Sequence, residues 1–283
     1  MTTTGDAAGA HGDLLYIAHE GGTPNVTILT YPHGKIVGAI NNLGPTWGAC
    51  SDSAGNVWID AYGLFEYAHG GKKPIAKLPF PGSGGLGLGC SVDPTTGNLA
   101  AIELASSAVL DIWPNAQGTP TVYPAPFEPA SCSYDDQGNL FIDGANPSTQ
   151  ALVLAELTKG GNQFQNITLN EQLHWGGGIK WDGAYVVVNT TVPSAPKGKY
   201  HVVVRVSVSG STGTVVDTIP LRDLSQTSNF VLRGRTLIAT TGAGVGLWKY
   251  PQGGRHFRVL KGFPPAWDLA MSVPPSARTK ARF

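Results

Sequence analysis

The chain is poor in charge. Of its 283 residues, 13% are Asp, Glu, Lys or Arg, about half the ~25% of an ordinary globular domain. That shortage excludes a coiled coil and long solvated helical faces, which need charged residues at regular spacing. Nineteen basic residues balance 19 acidic ones, so no global field favours nucleic acid or an anionic membrane. Long apolar runs are missing too: no stretch approaches the ~18 consecutive apolar residues of a membrane-spanning helix. Cysteine is scarce at 3 residues, and an odd count argues against a complete disulfide framework. C-x-x-C, H-E-x-x-H, G-x-S-x-G and Walker A patterns are absent, which sets aside the common forms of those chemistries. What is plentiful is Gly, 38 residues, and Pro, 21, beside a hydrophobic share of 41%. That is ample apolar material for a core, so disorder is excluded.

One phrase recurs. It reads Cys50-Ser-Asp-Ser-Ala-Gly-Asn-Val-Trp-Ile-Asp60, then Cys90-Ser-Val-Asp-Pro-Thr-Thr-Gly-Asn-Leu, then Cys132-Ser-Tyr-Asp-Asp-Gln-Gly-Asn-Leu-Phe-Ile-Asp143. Each is a short strand, an Asp/Gly/Asn turn and an alternating strand, which is hairpin chemistry. Diverged copies begin at Lys180 and Val231, and a second phrase ending in a Gly turn follows each hairpin, as in Leu64-Phe-Glu-Tyr-Ala-His-Gly-Gly. Four strands per repeat, roughly 40 residues apart, is the signature of propeller blades. The N-terminus supplies three strands and a lone strand remains near Trp267–Val273. Docking that strand on the first blade closes the ring and removes an edge.

The expectation is therefore an all-β, six-bladed β-propeller with four antiparallel strands per blade, a single domain over residues 13–273. Residues 1–12 read as a disordered lead-in lacking the basic start and apolar core of a signal peptide. Residues 274–283, with Arg278, Lys280 and Arg282, read as a basic flexible tail. Low charge with abundant Gly, Thr, Asn and Pro suits an exported bacterial protein whose signal has been removed. A closed ring leaves no edge that demands a partner, which points to a monomer.

The Asp-x-x-Gly-Asn hairpins and the six outer turns resemble the NHL-repeat, gluconolactonase-like superfamily of six-bladed propellers. Such propellers include lactonases, phosphotriester hydrolases, lyases and plain binding scaffolds, so the resemblance speaks for the fold before the activity.

The end of each second strand meets the start of each inner strand at one channel mouth. Those positions hold His19, Asp60, Glu103, Asp143 and Asn189 on the returns, and Trp47, His174, Trp175, Asn229, Trp267 and Asp268 on the starts. Oxygen ligands of mixed Asp, Glu and Asn suit a hard cation, Ca2+ before Mg2+, and the resemblance implies a divalent cation at this mouth. Asp60, Glu103, Asp143, Asn189 and Asn229 are its candidate ligands; otherwise such acids cap strand ends. His174 or His19 is the candidate general base, with Glu103 and Asp143 as the carboxylates on which turnover would depend. Trp47, Trp175 and Trp267, with Asp268, are placed to hold a small-molecule or carbohydrate-like ligand; packing between blades is the competing role for any one indole.

The resemblance implies a hydrolase of ester, lactone or phosphotriester bonds. The alternatives are a non-catalytic propeller that binds a glycan, peptide or protein on the same face, and a lyase acting by proton abstraction. No nucleotide or flavin is expected, because Gly82-Ser-Gly-Gly-Leu-Gly87 leads into a strand and not into the helix that a pyrophosphate site needs. Cys50, Cys90 and Cys132 are expected as buried thiols. Counted back from the turn Asp, Cys50 stands in a different register from the other two, so the three do not share a sheet face.

Overall fold

A computed structural model describes residues 12–21, 23–82, 85–104, 108–191, 201–224 and 229–274. The expected lead-in and tail, apart from Gly12 and Pro274, lie outside the described residues. Among those residues there is no α-helix, only a 3-10 turn at Pro114–Ala116. The architecture is all-β and propeller-like. Four-stranded antiparallel meanders span residues 48–78, 86–124 and 230–260. A fourth sheet takes its innermost strand, Asp268–Ser272, from the C-terminal end of the chain. That strand pairs with Leu14–Ala18, from Ala18↔Asp268 to Leu14↔Ser272. The remaining strands form a nine-stranded sheet. Within it, residues 129–169 and 174–222 are each an antiparallel meander, and their outer strands meet in a parallel pairing at Thr168↔Thr212.

The recurring Asp organises the inner hairpins. Asp52 Oδ1 accepts the N–H groups of Ala54 and Asn56, both at 2.8 Å. Asp135 Oδ1 accepts those of Gln137 and Asn139 at 2.9 and 2.8 Å. The Gly that follows is at φ 88° in one turn and 92° in the other, a left-handed conformation that costs Gly nothing. The phrase thus encodes a turn at the end of the ring opposite the mouth.

Innermost strands pack in sequence order: Gly48–Ser51 against Leu86–Val92, then Pro129–Tyr134, His174–Trp181, Phe230–Arg233 and Asp268–Ser272, which returns to Gly48–Ser51. The apolar core lies between neighbouring sheets. Trp58, Leu64, Leu78, Cys90, Leu99 and Trp113 fill one such wedge, where truncating a buried Trp to Ala costs about 3–5 kcal/mol.

One cysteine expectation is overturned. Cys50 and Cys90 form a disulfide, with Cα atoms 5.5 Å apart, and Cys132 alone is a buried free thiol. The register difference that seemed to separate them is what joins them. Adjacent sheets stack front to back, so opposite faces of neighbouring strands meet. Cys50 stands two residues before its turn Asp and Cys90 three before its own, so they face each other. The residue equivalent to Cys50 in the next sheet is Ser91. Its hydroxyl accepts the Tyr134 N–H at 3.0 Å, and Cys132 has no thiol opposite it. Ser133 repeats the contact one sheet further on, accepting the Trp181 N–H at 3.1 Å.

Candidate functional site

Antiparallel pairing brings the sequence-selected acids to one end of the ring. Asp60 stands opposite Gly48, Glu103 opposite Gly87 and Asp143 opposite Ser131. All three are buried, as are Asn189 and Asp268. They form a desolvated layer beneath the mouth and not an open rim, because the small inner-strand residues let the carboxyls fold inward. A Cβ on Gly87 would collide with Asp60, and one on Gly85 with Glu103. The glycine run that mimics a dinucleotide loop therefore serves to house two carboxyl groups.

Each acid has a different environment. Among the described residues, Asp60 has no hydrogen-bond partner for either oxygen. The Gly89 amide comes near without reaching hydrogen-bonding geometry, and burial, with Asp268 adding repulsion, pushes the carboxyl well above its ordinary value. Asp143 is raised to about 7 by burial, against the opposing pull of the Trp175 indole and Lys180; the Trp175 Nε1–H donates to its Oδ2 at 3.2 Å. Asp268 is raised to about 6, again by burial. It accepts the Ala49 and Leu269 N–H groups at 2.8 and 2.7 Å and bonds to Asn229. Asn229 in turn accepts the Ser131 hydroxyl at 3.0 Å. Asn189 donates to the Gly176 carbonyl at 3.1 Å.

Asp111 belongs to this layer and was not among the expected site residues. Fully buried, it is pushed up to about 7 by burial and by the neighbouring Glu103. The signal is an Asp in the middle of the apolar strand Ala108–Trp113, a segment whose outer-hairpin phrase marks it as a blade edge.

The two histidines differ. His19 is buried, its Nδ1 at 2.9 Å from the Pro265 carbonyl and Nε2 at 2.9 Å from the Thr27 hydroxyl. A carbonyl only accepts, so Nδ1 carries the proton and Nε2 accepts from Thr27. Burial lowers its pKa. Both nitrogens are engaged in tethering the strand end, which leaves none to act as a base. His174 is half-buried beside Trp175, and its ring makes no hydrogen bond among the described residues. Trp47 and Trp175 are half-buried, and Trp267 is 37% exposed. Tyr62, 55% exposed, follows Asp60 in the same end turn.

The donor set does not fit one cation. Glu103 turns to Asp111, Asp143 to Trp175 and Asn229 to Ser131 and Asp268. No group of three or more His, Cys, Asp or Glu side chains among the described residues is arranged to hold an ion.

No protein-family model matches the sequence, and no curated protein does. Solved structures do match. One is a protein of unknown function from Bacteroides caccae, with a TM-score of 0.64 and 12% identity over 92% of this chain and 99% of that one. Another is Kuenenia stuttgartiensis hydrazine synthase, with a TM-score of 0.57 and 10% identity over 79% of this chain and 70% of that one. The likeness is one of fold. At such identities it carries no activity, as expected for an architecture that hosts many unrelated functions.

Proposed function

We propose that the chain is a six-bladed propeller of the NHL-repeat, gluconolactonase-like kind that binds a small carbohydrate-like ligand at the channel mouth. The blade count is supported by the cycle of innermost strands and by the two complete meanders inside the nine-stranded sheet. The observation that carries the binding reading is the pairing of a buried, hydrogen-bonding layer with partly exposed aromatics above it. Trp47, Trp175, Trp267 and Tyr62 supply ring faces for stacking, while Asp143 fixes the Trp175 indole. The Cys50–Cys90 bridge suits an oxidising compartment, in keeping with an exported protein.

Binding is favoured over hydrolysis because His19 is tethered and the carboxyls are desolvated. Acid–base catalysis is the second reading, favoured by one observation: the buried Asp143 is raised to about 7, and a carboxyl that titrates near neutrality suits proton transfer.

The test is quenching of indole fluorescence by a panel of monosaccharides, disaccharides and sugar lactones, each followed for turnover. Saturable quenching without turnover, weakened by Trp175→Ala, is expected. Turnover that disappears in Asp143→Asn would establish the second reading instead, and no response from any sugar would overturn both. A calcium titration belongs to the same series: a rise in melting temperature on adding calcium, reversed by chelator, would show that the buried carboxyls rearrange around an ion.

A further inference from the structure

The other half of the channel is chemically unlike the mouth. A cavity of about 280 Å3 lies there, walled by the turn-side ends of the innermost strands. It shares no residue with the aromatic mouth. Two cations, Lys180 and Arg233, stand in its wall, and none of the described residues that line it is an Asp or Glu. Lys180 is half-buried and makes no ion pair among the described residues. Arg233 gives its Nε to Asp13 at 2.6 Å, and its terminal nitrogens have no ion-pair partner there. Asp143 and Asp268 feel the Lys180 charge, but they belong to the buried mouth-side layer and neither forms an ion pair with it among the described residues. Lys180, the wall cation with no ion pair among the described residues, is the one that an anion beside it would stabilise most. The rest of the wall is mixed: Val231, Leu269, Met271 and Val273 form an apolar side, and Ser51, Ser91 and Ser133 add hydroxyls.

We propose that this half of the channel is a binding site for a small organic carboxylate with a short apolar body. The carboxylate sits between Lys180 and Arg233, where charge-assisted hydrogen bonds form. The apolar body lies against Val231, Leu269 and Met271. The volume is at the small end of ligand pockets, which suits an acid the size of hexanoate. This site does not depend on the mouth reading, since either can fail without the other.

The experiment is isothermal titration of the full chain with hexanoate and with its neutral isostere hexanamide at low ionic strength. Hexanoate is expected to bind at least about tenfold more tightly than hexanamide, a difference set by the charge alone. Lys180→Met is expected to remove that preference, and Arg233→Gln to weaken it. Equal affinity for acid and amide, absence of hexanoate binding, or a folded Lys180→Met protein that binds hexanoate as well as wild type would overturn the proposal. The comparison of acid with amide needs no variant, so it stands even if Lys180→Met does not fold.

Discussion

The Cys50–Cys90 bridge closes a loop of 40 residues between neighbouring innermost strands, and removing it should act mainly on the unfolded chain. Loop-closure entropy for that length is about 13 cal/mol/K, or roughly 4 kcal/mol at room temperature. With an unfolding entropy of ~2.1 cal/mol/K per residue, 283 residues give about 0.6 kcal/mol/K. The double variant Cys50→Ala/Cys90→Ala should therefore melt about 7 °C below wild type. Calorimetry with and without reductant is the assay. Wild type should fall by a similar amount in reductant, and the double variant should be insensitive to it. Thiol titration of the unfolded, unreduced protein provides the stricter check, with one thiol expected, that of Cys132. Three thiols would refute the bridge, and a melting temperature unmoved by its loss would refute the loop-entropy argument.

Asp143 should make stability fall as pH rises. Its folded pKa, about 7, lies above the ordinary carboxyl value of 3.8, so its contribution is fully present at low pH and is lost between about pH 4 and 7. Over that window Asp143→Asn should gain roughly 4 kcal/mol relative to wild type, read from urea melts at pH 4.5 and 8; parallel pH profiles would refute the buried acid. Gly87→Ala should cost more than the ~1–3 kcal/mol of ordinary overpacking, because its Cβ meets Asp60 directly, and pairing it with Asp60→Ala should recover much of the loss in thermal melts. Ser91→Cys should acquire a second bridge, to Cys132, and lose all free thiol on oxidation; a persistent thiol pair would refute the equivalence of successive sheets.

Much of the fold was legible because a propeller writes its repeat into the chain. The turn Asp and Gly recur for a local reason, the capping of N–H groups and the left-handed Gly at 55 and 138. The strand positions followed from alternation, and so did the gathering of Asp60, Glu103, Asp143 and Asp268 at one end. Their burial was not legible. Whether a carboxyl at a strand end meets water depends on what the next sheet places against it, and here glycines at 85 and 87 draw two of them inward. The tethering of His19 by Pro265 and Thr27 is of the same kind, since Pro265 arrives from the far end of the chain.

By itself, then, the sequence determined the all-β class, the repeat, the turns and which residues share an end of the ring, since hydrogen-bonding turns and side-chain alternation act over a few residues. Tertiary structure alone decided the Cys50–Cys90 bridge, the Asp111–Glu103 pair, the desolvation that lifts Asp143, and the separation of an acidic layer from a cationic cavity. Those depend on how the face of one sheet meets the back of the next, a contact between segments some forty residues or more apart whose geometry no local pattern encodes.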